Sequence, residues 1–274
     1  MKVHLRAARF YLGLPKNAPI PAILADIDWL EPVYNTQIKM IRQYHRILKM
    51  ENSRLTKVVL LWDRELCSQN NGINTWSGEI DTIFQNYNLG YFAENLNLFP
   101  LKEVIGTLRS NMKSSQNLDL ETRCGMPQLR TYIKFKDFYR KPSFLQKPLS
   151  FIQRKFLSKF CVSCLELQIC TGRYMRLPEA ERVCKVSDSC TAESLVESEF
   201  HFLLACPAYL DIRQAWLSKL DLPENFDQFT NDNKLRILIN EINNVKPTAQ
   251  FIVEAFNMRS RLLFLKPKYN QNNN

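Results

Sequence analysis

A chain of 274 residues with 45 % hydrophobic content is long enough for one large domain or two small ones, with a real core. Its longest clean apolar run, Val58 to Trp62, falls far short of the roughly 20 residues of a membrane span. Lys2, His4, Arg6 and Arg9 break up the N-terminus where a signal-peptide core would lie, so a soluble, intracellular protein is expected. In that setting the eight cysteines are read as free thiols or metal ligands and not as disulfides.

Seven glycines, few alternating β-branched stretches and many Leu, Ile and Phe at helical spacing predict an all-α fold, an irregular multi-helix bundle. In chain order, Tyr34, Ile38, Ile41 and Leu48 form a first apolar stripe, with Lys39, Arg42 and Lys49 facing elsewhere. Thr56 to Leu66 carries Val58, Leu61, Trp62 and Leu66 in the same rhythm. Leu101, Val104, Ile105, Leu108 and Met112 make the cleanest stripe, opened by Pro100 at the helix start. The polar run Asn111 to Asp119 reads as a joint, and a second joint is expected at Lys141 to Pro148, where two prolines interrupt the chain. Asp232 is a candidate cap for a helix through Leu235, Leu238, Ile239 and Ile242, stopped by Asn243 and Asn244. A last helix runs through Phe251, Ala255, Phe256, Leu262 and Leu263. This organisation gives a helical region over 1–115, a basic and Cys-rich region over 116–265, and a disordered Asn-rich tail over 266–274.

The surplus charge of +10 is uneven. Arg130, Lys134, Lys136, Arg140, Lys141, Lys147, Arg154, Lys155 and Lys159 face a single acid, Asp137, between residues 130 and 160. Tyr132, Phe135, Phe138, Tyr139, Phe144, Phe151 and Phe156 alternate with them. Cations that track a phosphate backbone, interleaved with rings on which bases stack, suit RNA or single-stranded DNA. The competing reading is an amphipathic helix with its rings in the core and its cations in water, and the spacing of Tyr132, Phe135 and Tyr139 favours it for those rings.

Two stretches carry a family resemblance. One runs from Arg6 and Arg9 through Phe10, Leu12, Gly13 and Leu14 to Ala18, Pro19, Asp28, Trp29 and Leu30, then Arg54, Leu55, Thr56, Leu61, Trp62 and Asp63. The other comprises Leu129, Arg130, Thr131 and Tyr132; Thr171, Gly172, Arg173 and Tyr174; Leu177, Pro178, Glu179, Arg182 and Cys184. It closes with Glu199, Phe200, His201, Phe202, Leu203, Cys206, Pro207, Tyr209 and Arg213. Together they resemble the region that follows the reverse-transcriptase core in non-LTR (LINE-like) retrotransposon polyproteins, including its zinc-binding-like, zinc-knuckle-like segment. The resemblance implies a reverse-transcriptase module as ancestral partner. The paired aspartates that hold two metal ions in that polymerase are missing, since no Asp-Asp pair occurs in the chain. The chain is accordingly expected to be a non-catalytic fragment or decayed copy.

The family pattern asks for a Cys-x2-Cys pair followed by His-x4-Cys. Cys184, His201 and Cys206 meet it, but Ser187 stands at the second position, and a hydroxyl is a poor ligand beside thiolate and imidazole. Cys190 is the expected substitute, giving Cys184, Cys190, His201 and Cys206 as a zinc tetrad. The alternative is a metal-free remnant in which His201 and Cys206 simply pack. Cys161, Cys164 and Cys170 are a second cluster, read as buried structural thiols, with a four-cysteine site built from Cys161, Cys164, Cys184 and Cys190 as a variant. His4, His45 and His201 are too scattered for an acid/base pair, and no Gly-rich phosphate loop or nucleophile elbow occurs. The expected nucleic-acid contacts are Arg130, Lys134, Lys136, Arg140, Lys141, Arg154, Lys155, Lys159 and Arg173. A structural or protein-interaction helical module, or a relic without nucleic-acid binding, is the alternative function.

Overall fold

The computed structural model describes residues 2–69, 74–122, 129–136, 142–190 and 195–265. The described residues are helical with no sheet. They group into two compact units, one of Trp29–Asp119 and one of Lys2–Asp28 with Leu120–Asn274.

The first unit holds α3 (Pro32–Leu48), α4 (Leu55–Gln69), α5 (Trp76–Asn86), α6 (Gly90–Glu94) and most of α7 (Leu101–Thr122). Ile38, Ile41, Tyr44, Ile80, Phe84, Val104, Leu108 and Met112 fill its core. The Asp63 carboxylate on α4 accepts from the backbone N–H groups of Trp76 and Ser77 at 3.1 and 2.8 Å, satisfying orphan donors at the start of α5. Two expectations change here. α7 stays helical through the polar stretch from Asn111 to Asp119, where a joint is expected, and the boundary between the two units falls at the end of that stretch, between Asp119 and Leu120. On α4 the helix forms as expected but buries Leu60 and Lys57, while Val58, Leu61 and Trp62 are exposed. The Lys57 ammonium donates to the Leu48 carbonyl at the end of α3, which draws that face inward.

The second unit comprises α1 (Lys2–Leu12), α2 (Ile20–Ile27), α8 (Tyr132–Phe135), α9 (Phe151–Cys161), α10 (Gln168–Tyr174), α11 (Leu210–Leu217), α12 (Asn231–Asn240) and α13 (Val245–Leu265). α9 lies against α13 and α12 against α8. Trp216 stacks on Phe251 with ring centres 4.3 Å apart, tying α11 to α13. A full capping box between Ser150 and Gln153 opens α9. Thr230, and not Asp232, caps α12, and Ile242 lies outside that helix.

Placing residues 2–28 in this unit differs from the expected 1–115 region, and two contacts account for it. Buried Asp26 on α2 accepts from the Tyr132 hydroxyl at 2.8 Å and from the Lys136 ammonium at 3.0 Å. Gly13 ends α1 with φ +65°, and a Cβ there would lie 2.5 Å from Lys155 Cγ, so only glycine lets α9 approach so closely. At the second expected joint, Ser143–Leu145 forms a short 3-10 turn with Phe144 fully buried. The tail over 266–274 lies outside the described residues.

Candidate metal centre

The centre is assembled by one backbone bridge and one wide turn. Val183 and Val196 form an isolated antiparallel bridge, with Cys184 N donating to Leu195 O at 2.8 Å and Glu197 N to Arg182 O at 3.0 Å. That pairing sets Cys184 beside the helical segment that follows. From His201 to Ala205 the chain makes a π-type turn closed by Cys206 N donating to His201 O at 2.8 Å. Bulges of this kind are frequent at functional sites, and here the five-residue closure returns Cys206 to the side of the chain occupied by His201. Cys206 is extended, and Pro207 starts the next turn. Arg213 donates to the carbonyls of Leu203 and Cys206 at 3.0 and 2.7 Å, which fixes the exit of the turn.

The ligand atoms of Cys184, Cys190, His201 and Cys206 all lie within 4.8 Å of one another. Cys184 Sγ is 3.9 Å from Cys206 Sγ, and Cys190 Sγ is 3.6 Å from His201 Nε2. Cys184, His201 and Cys206 are buried and Cys190 is half-buried. The Cys184 thiol is pushed down to about 3 by the hydrogen bond from Cys206, against burial, and by hydrogen bonds from His201 and the backbone N–H groups of Ser187 and Val186. Cys206 is pushed up by the same hydrogen bond and by burial, and burial also raises Cys190. The four residues could hold a metal ion.

Ser187 touches the cluster through both its backbone and its hydroxyl, the latter hydrogen-bonded with Cys190. Its N–H faces the Cys184 sulfur, and its Oγ accepts from Ser189 N at 3.2 Å. Cys190 takes the position that Ser187 cannot fill. The His201 ring is steadied by burial and by its backbone N–H donating to Ser198 Oγ at 3.1 Å, and its Nδ1 has no hydrogen-bond partner among the described residues.

The surrounding polar framework has no clear mark in the sequence. Glu197 is buried and accepts from Arg259 at 2.7 and 2.8 Å and from Gln168 N at 2.7 Å. Glu199 is paired with Arg130. An acid beside a helix start reads as a solvated residue, and each partner lies at least 29 residues away. Gly172 is clearer in retrospect. A Cβ there would lie 2.6 Å from Arg182 Cγ, and Arg182 crosses α10 to donate to Leu177 O and Ile169 O.

Among the described residues Cys161, Cys164 and Cys170 form no metal-ligating group, and the four-cysteine variant does not assemble. Burial raises all three thiols, Cys164 to about 11, and Cys170 donates to Ser163 O at 3.1 Å. Protonated, enclosed thiols of this kind are inert.

The expected nucleic-acid contacts do not form one set. Lys136 is a correction: its ammonium is buried on Asp26 and Ala25 O, out of reach of a phosphate. Arg130 is paired with Glu199 beside Cys170, its side chain 24 % exposed. Lys134 pairs with Asp232 at 2.9 Å, both side chains exposed. Arg140 and Lys141 lie outside the described residues. Arg154, Lys155 and Lys159 share α9, and Arg173 sits on α10 over the Tyr174 ring. Of the interleaved rings, Tyr132 and Phe144 are core, Phe156 packs on Phe256, and Phe151 is exposed. Phe138 and Tyr139 lie outside the described residues, as does the side chain of Phe135.

Comparison of the chain with protein-family models, curated proteins and solved structures finds no match.

Proposed function

We propose that the chain is a non-catalytic helical module of retrotransposon type, organised by one zinc ion, that binds RNA or single-stranded DNA through cations on its second unit. The convergence of Cys184, Cys190, His201 and Cys206 carries this reading. Zinc bound at about 2.3 Å to sulfur and about 2.0–2.1 Å to nitrogen in a tetrahedron gives S···S edges of about 3.8 Å and S···N edges of about 3.6 Å. The 3.9 and 3.6 Å separations fit those edges. Three thiolates and one imidazole form a closed structural set with no open position for a reacting water, which supports a bracing role. Nucleic-acid contact is supported by Arg154, Lys155, Lys159 and Arg173, none of which is among the ion pairs of the described residues.

Two measurements test the parts separately. Elemental analysis of the purified full chain should give about one zinc per chain, falling sharply in Cys190→Ala. Zinc well below one equivalent that does not change in that variant overturns the tetrad. Filter binding to single-stranded RNA across a salt series should show a log–log slope of about −2 to −3 for four phosphate contacts. An absence of binding at low salt overturns the nucleic-acid reading.

A protein-interaction module is the second reading, favoured by α4. Leu55, Val58, Val59 and Trp62 form an exposed apolar stripe at helical spacing in the first unit. Failure to bind RNA with zinc fully present would select it.

A further inference from the structure

The two helices that meet at Gly13 carry a surface that the basic segment alone does not reveal. Phe10 is 80 % exposed, Phe151 47 % and Tyr11 45 %. The Phe10 and Phe151 ring centres are 6.3 Å apart at 36°. The Arg154 guanidinium lies 4.3 Å from the Tyr11 ring centre and 5.8 Å from that of Phe151. Its Nε donates to the Tyr11 carbonyl at 2.8 Å, at the end of α1, so the guanidinium is held against the Tyr11 and Phe151 rings, and among the described residues its Nη groups make no hydrogen bond. Neither α1 nor α9 contains an acid, whereas together they carry Arg6, Arg9, Arg154, Lys155 and Lys159.

Single exposed rings are ordinary on a protein surface. A pair of exposed rings beside a guanidinium that is itself fixed over a third ring, on two helices of one charge sign, is a combination with a specific use. Bases offer flat π faces to aromatic rings, and the phosphates between them need cations at close range. Building on the nucleic-acid reading above, we infer that Phe10, Tyr11, Phe151 and Arg154 form the platform on which unpaired bases of single-stranded RNA or DNA stack. Lys155 and Lys159 take the adjoining phosphates. Gly13 positions the platform, because any side chain there would drive α9 away from the end of α1.

The test is fluorescence anisotropy with a labelled oligouridylate and the zinc-loaded full chain. Removing both rings in Phe10→Ala with Phe151→Ala should weaken binding tenfold or more without changing the salt slope, since the rings are uncharged. Phe10→Trp should keep or strengthen binding. Arg154→Ala should weaken it and reduce the slope by about 0.7. Both rings are exposed, so circular dichroism and zinc content should stay at the parent values. RNA binding that the double variant leaves unchanged overturns the platform while leaving the wider nucleic-acid reading standing. No RNA binding by the parent chain at low salt overturns both. Binding to phosphatidylserine vesicles that is lost in the double variant, with none to RNA, overturns the platform in favour of an interfacial membrane face.

Discussion

The stretch from Cys184 to Cys206 and the stretch from Arg130 to Lys159 both stand out in the sequence by residue type, yet the fold treats them in opposite ways. It gathers the first onto one point, with four ligand atoms within 4.8 Å. It disperses the second: Lys136 into a buried pair, Arg130 onto Glu199, Lys134 onto Asp232, and Arg154 onto Tyr11. The difference lies in the chemistry each requires. A tetrahedral ion fixes ligand number, type and distance, so it leaves a spacing in the chain. A cation satisfies phosphate, a buried carboxylate or water equally well, and the sequence does not say which.

The largest effect expected from breaking this contrast is at the metal ligands. On the zinc reading proposed above, Cys206→Ala should lose the ion and with it several kcal/mol of stability in the second unit. At about 2–4 °C per kcal/mol for a unit of this size, melting by circular dichroism should fall by roughly 10 °C or more. Chelation of the parent chain should reproduce the loss, and an unchanged melting curve in both cases would show that the thiols merely pack. Next in size is Lys136→Met, expected to cost about 3–5 kcal/mol because it leaves the Asp26 carboxylate buried without its cation. Asp26→Leu combined with Lys136→Met should recover most of that cost in urea unfolding. RNA affinity should stay at the parent value in both, which separates Lys136 from the cations of α9.

The sequence shows helices well because their signal is local. The stripe from Leu101 to Met112 reads directly, and all of Val104, Ile105, Leu108 and Met112 are buried. It shows helix faces less well. On α4 the residues Val58, Leu61 and Trp62 outweigh Leu60 in apolar content, yet Leu60 faces the core, because the face is chosen by what α3 and α5 present. Leu60→Ala should therefore cost about 2–4 kcal/mol, whereas Trp62→Ser should stay within about 0.5 kcal/mol. The reverse order in chemical unfolding would restore the face expected from the sequence. At the candidate centre the four ligands are legible, and the exchange of Ser187 for Cys190 follows from ligand chemistry. Glu197, Arg259 and Arg213 are not, because their meaning depends on partners brought together only by the finished fold. The platform at Phe10 and Tyr11 was hidden for the same reason, since its other half lies some 140 residues along the chain.

The smallest effect belongs to Lys134, two residues from Lys136 and with the same side chain. Its ammonium lies 2.9 Å from Asp232, but both side chains are close to half exposed. Water screens such a pair, and holding two mobile side chains in register costs entropy that offsets the attraction. Lys134→Ala should change unfolding stability by less than about 1 kcal/mol, and a double-mutant cycle with Asp232→Ala should give a coupling in the same range. Raising salt should shrink it further. The contrast with Lys136 then rests on burial alone, because charge, chemistry and partner type are shared. A coupling of several kcal/mol that survives high salt would mean that the pair is enclosed in solution. The Lys134 ammonium would then no longer count among the exposed charges of the basic segment.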